Sequence, residues 1–189
     1  MAASVPLRIG VLALQGCVQP HQFHIESLGA TFVEIKRPEE LKSVQGLILP
    51  GGESSTMIKL IDVFSLESSL KAAFQQMPVW GICAGSILMA KSVQSPAQKS
   101  FGLIDMTVER NSYGRQQESF SSTVNGYTVS FIRAPRIVSV GKEVKIIAEK
   151  NGDPIWIQSG SYMATTFHAE LTPTAPSPMH EAFLKLIRG

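Results

Sequence analysis

The segment Gly81-Ile82-Cys83-Ala84-Gly85 constrains this chain more than any other. An apolar run, Met77-Pro78-Val79-Trp80, leads into it, and a helix-like run, Ser86-Ile87-Leu88-Met89-Ala90, leads out. G-x-C-x-G between a strand and a helix is the layout of a nucleophile elbow, with glycines where side chains would obstruct the turn. A cysteine at the first turn of a helix meets unpaired N–H groups and the positive end of the helix dipole, both of which favour thiolate over thiol. Far downstream, Phe167-His168-Ala169-Glu170 places a base and a carboxylate two positions apart, hence on one side of an extended strand. Nucleophile, base and orienting acid are all available.

The elements around the elbow alternate. Leu7-Arg8-Ile9-Gly10-Val11-Leu12-Ala13-Leu14 is nearly all apolar, as a parallel strand covered on both faces should be. Gln15-Gly16 interrupts it, and residues 21–28 have helical spacing, with Phe23, Ile25 and Leu28 as expected buried positions and Gly29 as the stop. Strands are expected at 31–35 and 46–49, with a short helix after Pro38 between them. Pro50-Gly51-Gly52-Glu53-Ser54-Ser55 then turns into a helix that Ser54 or Ser55 would cap. A helix over 66–74, a strand over 79–82 and an elbow helix over 84–91 complete the first half.

The second half is richer in strands, at 106–109, 127–131, 137–140 and 144–148. Asn151-Gly152 marks a hairpin leading to Ile155-Trp156-Ile157, and a turn at Ser159-Gly160 leads to a strand over 162–167. The terminal helix, 177–188, aligns Met179, Phe183, Leu184 and Ile187 on one face. Alternating βα units followed by antiparallel strands imply an α/β fold, a three-layer open mixed β-sheet flanked by helices, in one domain over 1–189.

Composition narrows the function. A net charge of +2 without a dense Lys/Arg cluster argues against nucleic acid as a partner. The longest apolar runs fall far short of a membrane span, and the first residues lack the charged and apolar regions of a signal peptide. Cys17 and Cys83 are expected to be reduced thiols of a cytoplasmic protein, with Cys17 structural. Four scattered histidines give no metal-ligand spacing, so neither metal nor cofactor is expected. His21, His24 and His180 read as surface or helix-packing residues.

Ligands of open α/β sheets sit at the carboxyl ends of the strands, where the Gly51-Gly52 turn, Cys83 and His168 are all expected. Cys83 would attack an acyl carbon, and the N–H of Ala84 with one from Gly51 or Gly52 would hold the oxyanion. His168 would move the proton, with Glu170 orienting its ring. A cysteine sensor or binding module of similar architecture would have no need of Glu170 beside His168.

G-x-C-A-G with a downstream F-H-x-E resembles the class I, triad-type glutamine amidotransferases, whose fold is flavodoxin-like. More narrowly, Leu12-Ala13-Leu14-Gln15-Gly16, Leu49-Pro50-Gly51-Gly52-Glu53-Ser54-Ser55, Val108-Glu109-Arg110-Asn111-Ser112-Tyr113-Gly114-Arg115-Gln116, Phe131-Ile132-Arg133-Ala134-Pro135 and Phe167-His168-Ala169-Glu170-Leu171-Thr172 resemble the glutaminase subunits of pyridoxal 5′-phosphate synthase. The resemblance implies hydrolysis of L-glutamine to glutamate and ammonia, and delivery of the ammonia to a synthase subunit in a hetero-oligomer. It implies Cys83, His168 and Glu170 as the triad, and Gly52, Glu53, Ser54, Arg110, Ile132 and Arg133 as the lining of the glutamine site. Free glutamine carries a carboxylate and an ammonium, which an arginine and Glu53 could pair. A glutaminase for another acceptor, such as imidazole glycerol phosphate synthesis, fits the Pro50-Gly51-Gly52-Glu53-Ser54 turn and Ala84 less well. The chain departs from the family pattern at Ala169, where proline is usual, at Ser86, where the elbow helix is often apolar, and in the variable loop holding Cys17 and Pro20.

Overall fold

The computed structural model describes residues 6–110 and 119–189. The Asn111-Ser112-Tyr113-Gly114-Arg115-Gln116 part of the third motif lies outside them. The first half runs β1 (Arg8–Leu12), α1 (Pro20–Ser27), β2 (Thr31–Ile35), a 3-10 helix (Pro38–Ser43), β3 (Gly46–Leu49), α2 (Ser54–Val63), α3 (Glu67–Phe74), β4 (Val79–Ile82) and α4 (Ala84–Met89). The second half runs β5 (Ala90–Gln94), β6 (Ile104–Glu109), β7 (Phe120–Val124), β8 (Tyr127–Phe131), β9 (Arg136–Val140), β10 (Lys145–Lys150), β11 (Asp153–Ser159), β12 (Tyr162–Thr165) and α5 (Pro178–Arg188).

Seven strands form the main sheet in the order β10-β11-β12-β4-β3-β1-β2. The five strands from β12 to β2 are parallel, and the β10–β11 and β11–β12 pairs are antiparallel. Successive residues of the inner strands point to opposite faces. Leu47, Leu49 and Val79 enter one core with Met57, Ile61, Leu70 and Phe74 of α2 and α3. Ile48, Trp80 and Ile82 enter the other with Ile25 of α1 and Met179, Phe183 and Leu184 of α5. This two-sided burial makes three layers and explains why β3 and β4 contain only buried residues. The expected α/β fold is borne out.

Several local expectations need correction. The elbow helix stops at Met89 rather than running to residue 91, because Ala90 turns extended and opens β5, which pairs with β6 in a second, three-stranded sheet, β5-β6-β9. The cap of α2 is Glu53, whose carboxylate accepts from Thr56 N, and neither Ser54 nor Ser55 fills that place. In α1 the buried residues are His21, His24 and Ile25, whereas Phe23 is 55% exposed. Strand β7 had no signal in the sequence because Phe120-Ser121-Ser122-Thr123-Val124 is largely polar. It exists through antiparallel pairing with β8 across an Asn125-Gly126 turn, both residues at positive φ. The Asn151-Gly152 hairpin forms as expected, joining β10 to β11.

Close packing at the elbow demands small residues. A Cβ on Gly85 would collide with the carbonyl oxygen of Leu49, at the end of β3. Gly85→Ala should therefore force α4 off the sheet and cost about 1–3 kcal/mol of stability, read as a lower urea midpoint at unchanged slope.

Candidate active site

Four loops leave the carboxyl ends of β1, β3, β4 and β12 and meet over the middle of the sheet. The chain crosses from β2 back over β1 to β3, so the crevice above β1 and β3 is a topological switch point, where such sheets bind ligands. A cavity of about 350 Å³ opens there, within the usual range for small-molecule sites. Gln15, Cys17, Gly52, Glu53, Ser54, Cys83, Ala84, Ile87, Arg110, Ile132, Arg133 and His168 line it. Every candidate site residue named from sequence, Gly51 and Glu170 apart, is on its wall; Gly51 lies against the His168 ring and Glu170 is bonded to it.

Cys83 holds φ 48 and ψ −103, a conformation few non-glycine residues adopt. The strain is supported on three sides. Cys83 N donates to Thr165 O of β12 at 2.8 Å, and its own carbonyl accepts from Ile87 N at 3.2 Å and from Ser86 Oγ at 2.6 Å. Ser86, fully buried, thus has a task that an apolar residue could not perform. The Cys83 sulfur lies 3.9 Å from the carbonyl oxygen of Ile132, presented by a turn in which Arg133 is also left-handed, at φ 44.

His168 follows β12 and is clamped by β8, donating its N–H to Ser130 O at 2.8 Å and accepting from Ser130 N at 3.1 Å. That clamp fixes the strand end despite Ala169, which is itself fully buried. The His168 Nδ1–H donates to Glu170 Oε1 at 2.7 Å, and both side chains are nearly inaccessible. Burial alone would lower the His168 pKa, but hydrogen bonds with the Cys17 and Cys83 thiols and with Glu170 raise it far above its usual value. Burial likewise works against the Glu170 carboxylate, yet the His168 hydrogen bond holds its pKa below the ordinary one. An imidazolium between a thiol and a carboxylate can release a proton to a leaving amine.

Cys17 is the residue that sequence reasoning missed. Expected to be merely structural, it sits beside His168: its sulfur, an imidazole nitrogen and a Glu170 oxygen all lie within 4.8 Å of one another. Its signal was positional: it follows the first strand, whose carboxyl end abuts that of β3. The loops interlock there, since Cys17 N donates to Gly51 O at 2.9 Å, and a Cβ on Gly16 (φ +95) would collide with that oxygen.

The remaining wall is charged. Glu53 Oε1 pairs with Arg110 at 3.2 Å. Partial burial works against the Glu53 carboxylate, but the Ser55 hydroxyl and the Thr56 N–H outweigh it and hold the pKa at about 2. Gln15 locks the Glu53 backbone, its Nε2 donating to Glu53 O at 3.1 Å and its Oε1 accepting from Glu53 N at 3.4 Å. Ser54 spends its hydroxyl on Gln98 Oε1 at 3.0 Å.

The comparison that decides the family is a match of residues 11–187 to the SNO glutamine amidotransferase family. The chain belongs to that family. Curated relatives include a pyridoxal 5′-phosphate synthase subunit PdxT from Koribacter versatilis, 43% identical over 97% of each chain, and one from Geobacillus thermodenitrificans, 46% identical over 88% of this chain and 89% of the relative. A crystal structure titled as a glutamine amidotransferase superposes with a TM-score of 0.86 at 35% identity, covering 96% of this chain and 99% of the other. A putative GMP synthase subunit from Thermoplasma acidophilum shares the fold alone, with a TM-score of 0.64 at 14% identity. Among the described residues no helix is long and apolar enough to cross a membrane.

Two expectations follow for a family member with this geometry. A Cβ on Gly51 would strike the His168 ring, so Gly51→Ala should lower kcat/KM for glutamine by at least ~100-fold, as misplacement of a reacting group by about 1 Å does, with circular dichroism unchanged. Glu170→Gln removes an influence that raises the His168 pKa and leaves burial, which lowers it. The imidazolium is then lost at lower pH, so the alkaline limb of the kcat/KM profile should move downward.

Proposed function

We propose that this chain is the glutaminase subunit of a pyridoxal 5′-phosphate synthase, hydrolysing L-glutamine to glutamate and passing ammonia to a synthase subunit. The observation that carries the reading is the His168 imidazole bonded to Glu170 and sharing one cavity wall with Cys83, which sits on an elbow beside paired glycines, in a family member matched almost end to end. Residues 1–189 would act as one amidotransferase domain in the cytoplasm, where Cys17 and Cys83 stay free thiols.

In this reading Cys83 passes its thiol proton to His168 and attacks the side-chain amide carbon. The oxyanion is held by Ala84 N–H and by an N–H from the Gly51-Gly52 turn. His168 protonates departing ammonia, then deprotonates the water that cleaves the thioester, with Glu170 keeping its ring aligned. Glu53 serves the substrate ammonium and Arg110 or Arg133 its carboxylate, while Gly52, Ser54 and Ile132 complete the wall. Ammonia released to bulk water would be protonated and lost as a nucleophile, so a docked acceptor is required.

Because the Gly51 carbonyl is tied to Cys17 N, docking of the synthase is taken to set the orientation of the Gly51-Gly52 peptide. Glutamate release should rise on the order of 100-fold when the synthase subunit is added, the usual worth of one oxyanion donor. Full activity of the isolated chain would remove the partner from the account. Cys83→Ala should abolish hydrolysis with the fold intact, and a glutamine-derived diazo-ketone should label Cys83 in a manner that glutamine blocks. Labelling indifferent to glutamine would point instead to a thiol sensor.

A further inference from the structure

Beneath the triad lies a cluster that the reaction as described does not use. His21, His24 and His180 are buried at 0%, 0% and 2% exposure. His24 stacks on His180 with ring centres 4.5 Å apart, and His21 meets Trp80 edge-on. The cluster abuts Glu170, since His24 Nε2 lies 3.2 Å from the Glu170 carbonyl oxygen. Burial lowers the pKa of all three, that of His21 to about 4, so they are neutral rings.

In a neutral ring one nitrogen donates and the other accepts, so the direction chosen at Ser177 fixes the direction of each later contact. Ser177 Oγ caps α5 by accepting from His180 N at 3.2 Å, and lies 2.6 Å from His180 Nδ1. With the hydroxyl proton given to that nitrogen, His180 carries its hydrogen on Nε2. That Nε2 lies 2.9 Å from His21 Nδ1, which must then accept. The remaining hydrogen of His21 is therefore on Nε2. Among the described residues, His21 Nε2 and Glu170 Oε2 are both fully buried without a hydrogen-bond partner. One is thus a donor and the other an acceptor, in side chains of one buried cluster that His180 and His24 connect. The opposite assignment would leave two buried acceptors with no donor, at a cost of about 1–3 kcal/mol for each unsatisfied group.

We infer that His21, set by His180 and Ser177, is a positioning residue for the triad: its Nε2–H serves Glu170 Oε2 across one water, and so holds the carboxylate that orients His168. The inference rests on the glutaminase reading of the site. It gives Glu170 a donor on each oxygen, which fixes the carboxylate plane and with it the ring that must face Cys83.

The test uses the complex with the synthase subunit and three readouts. His21→Leu should lower kcat roughly 10–100-fold, the range for partners that orient a functional side chain, with KM unchanged within about 2-fold. His21→Gln, whose amide can present a donor at the same place, should restore kcat to within about 5-fold of the natural chain. In ¹⁵N spectra of the natural chain, His21 and His180 should both be neutral with hydrogen on Nε2. A His21→Leu protein with full kcat, a folded His21→Gln protein as slow as His21→Leu, or hydrogen on Nδ1 of His21 would each overturn the inference. Should His21→Leu fail to fold, the spectra and His21→Gln still decide. An inactive natural complex would instead defeat the glutaminase reading, while the spectra would judge the histidine assignment on their own.

Discussion

The structure depends on one buried contact, the hydrogen-bonded pair of His168 and Glu170. Two ionisable groups at 4% and 0% side-chain exposure are costly to desolvate and persist only where geometry and further hydrogen bonds offset the cost. Much of the surrounding architecture does this. Strand β8 clamps His168 from the backbone, α1 brings His24 to the Glu170 carbonyl, and the loops after β1 and β4 bring thiols to the imidazole. The outlay is recovered as pre-organisation, because a ring held between carboxylate and thiol is aligned before substrate arrives.

The same contact explains the crowding of glycines above the sheet. Gly51 leaves room for the His168 ring, Gly16 for the Gly51 carbonyl, and Gly85 for the Leu49 carbonyl. Each added methyl would meet backbone or the buried His168 ring rather than a flexible side chain that could move aside. Strain at Cys83 and at Arg133 is tolerated for a related reason. Cys83 is held by β12 and α4, and the Arg133 turn aims the Ile132 carbonyl at the Cys83 sulfur.

The histidines show where pattern reading failed. Along α1, Phe23 looks like core and His21 and His24 read as surface or helix-packing residues; both histidines are buried in the packing and Phe23 is exposed. Periodicity weighs hydrophobicity and cannot weigh the availability of buried partners. Here α5 supplies His180 and Ser177, and the loop after β12 supplies Glu170, so all but one of the ring nitrogens find partners in the interior while a phenylalanine is left outside. Cys17 was missed for a similar reason, since nothing adjacent in sequence announces that the loop after β1 will lie against the turn after β3.

What the chain alone determined was the set of local devices: the elbow around Cys83, the His-x-Glu pair, the glycine turn after β3, the Asn151-Gly152 hairpin and the doubly apolar strands. These depend on the conformational freedom of a few residues and on short-range periodicity, both of which are written in neighbouring positions. Tertiary structure alone decided which loops share a crevice, which thiols meet His168, that Ala90 opens a strand instead of extending a helix, and that three histidines form the floor beneath Glu170. Those outcomes turn on contacts between residues distant in the chain, whose burial becomes favourable only once the sheet order has brought their partners together.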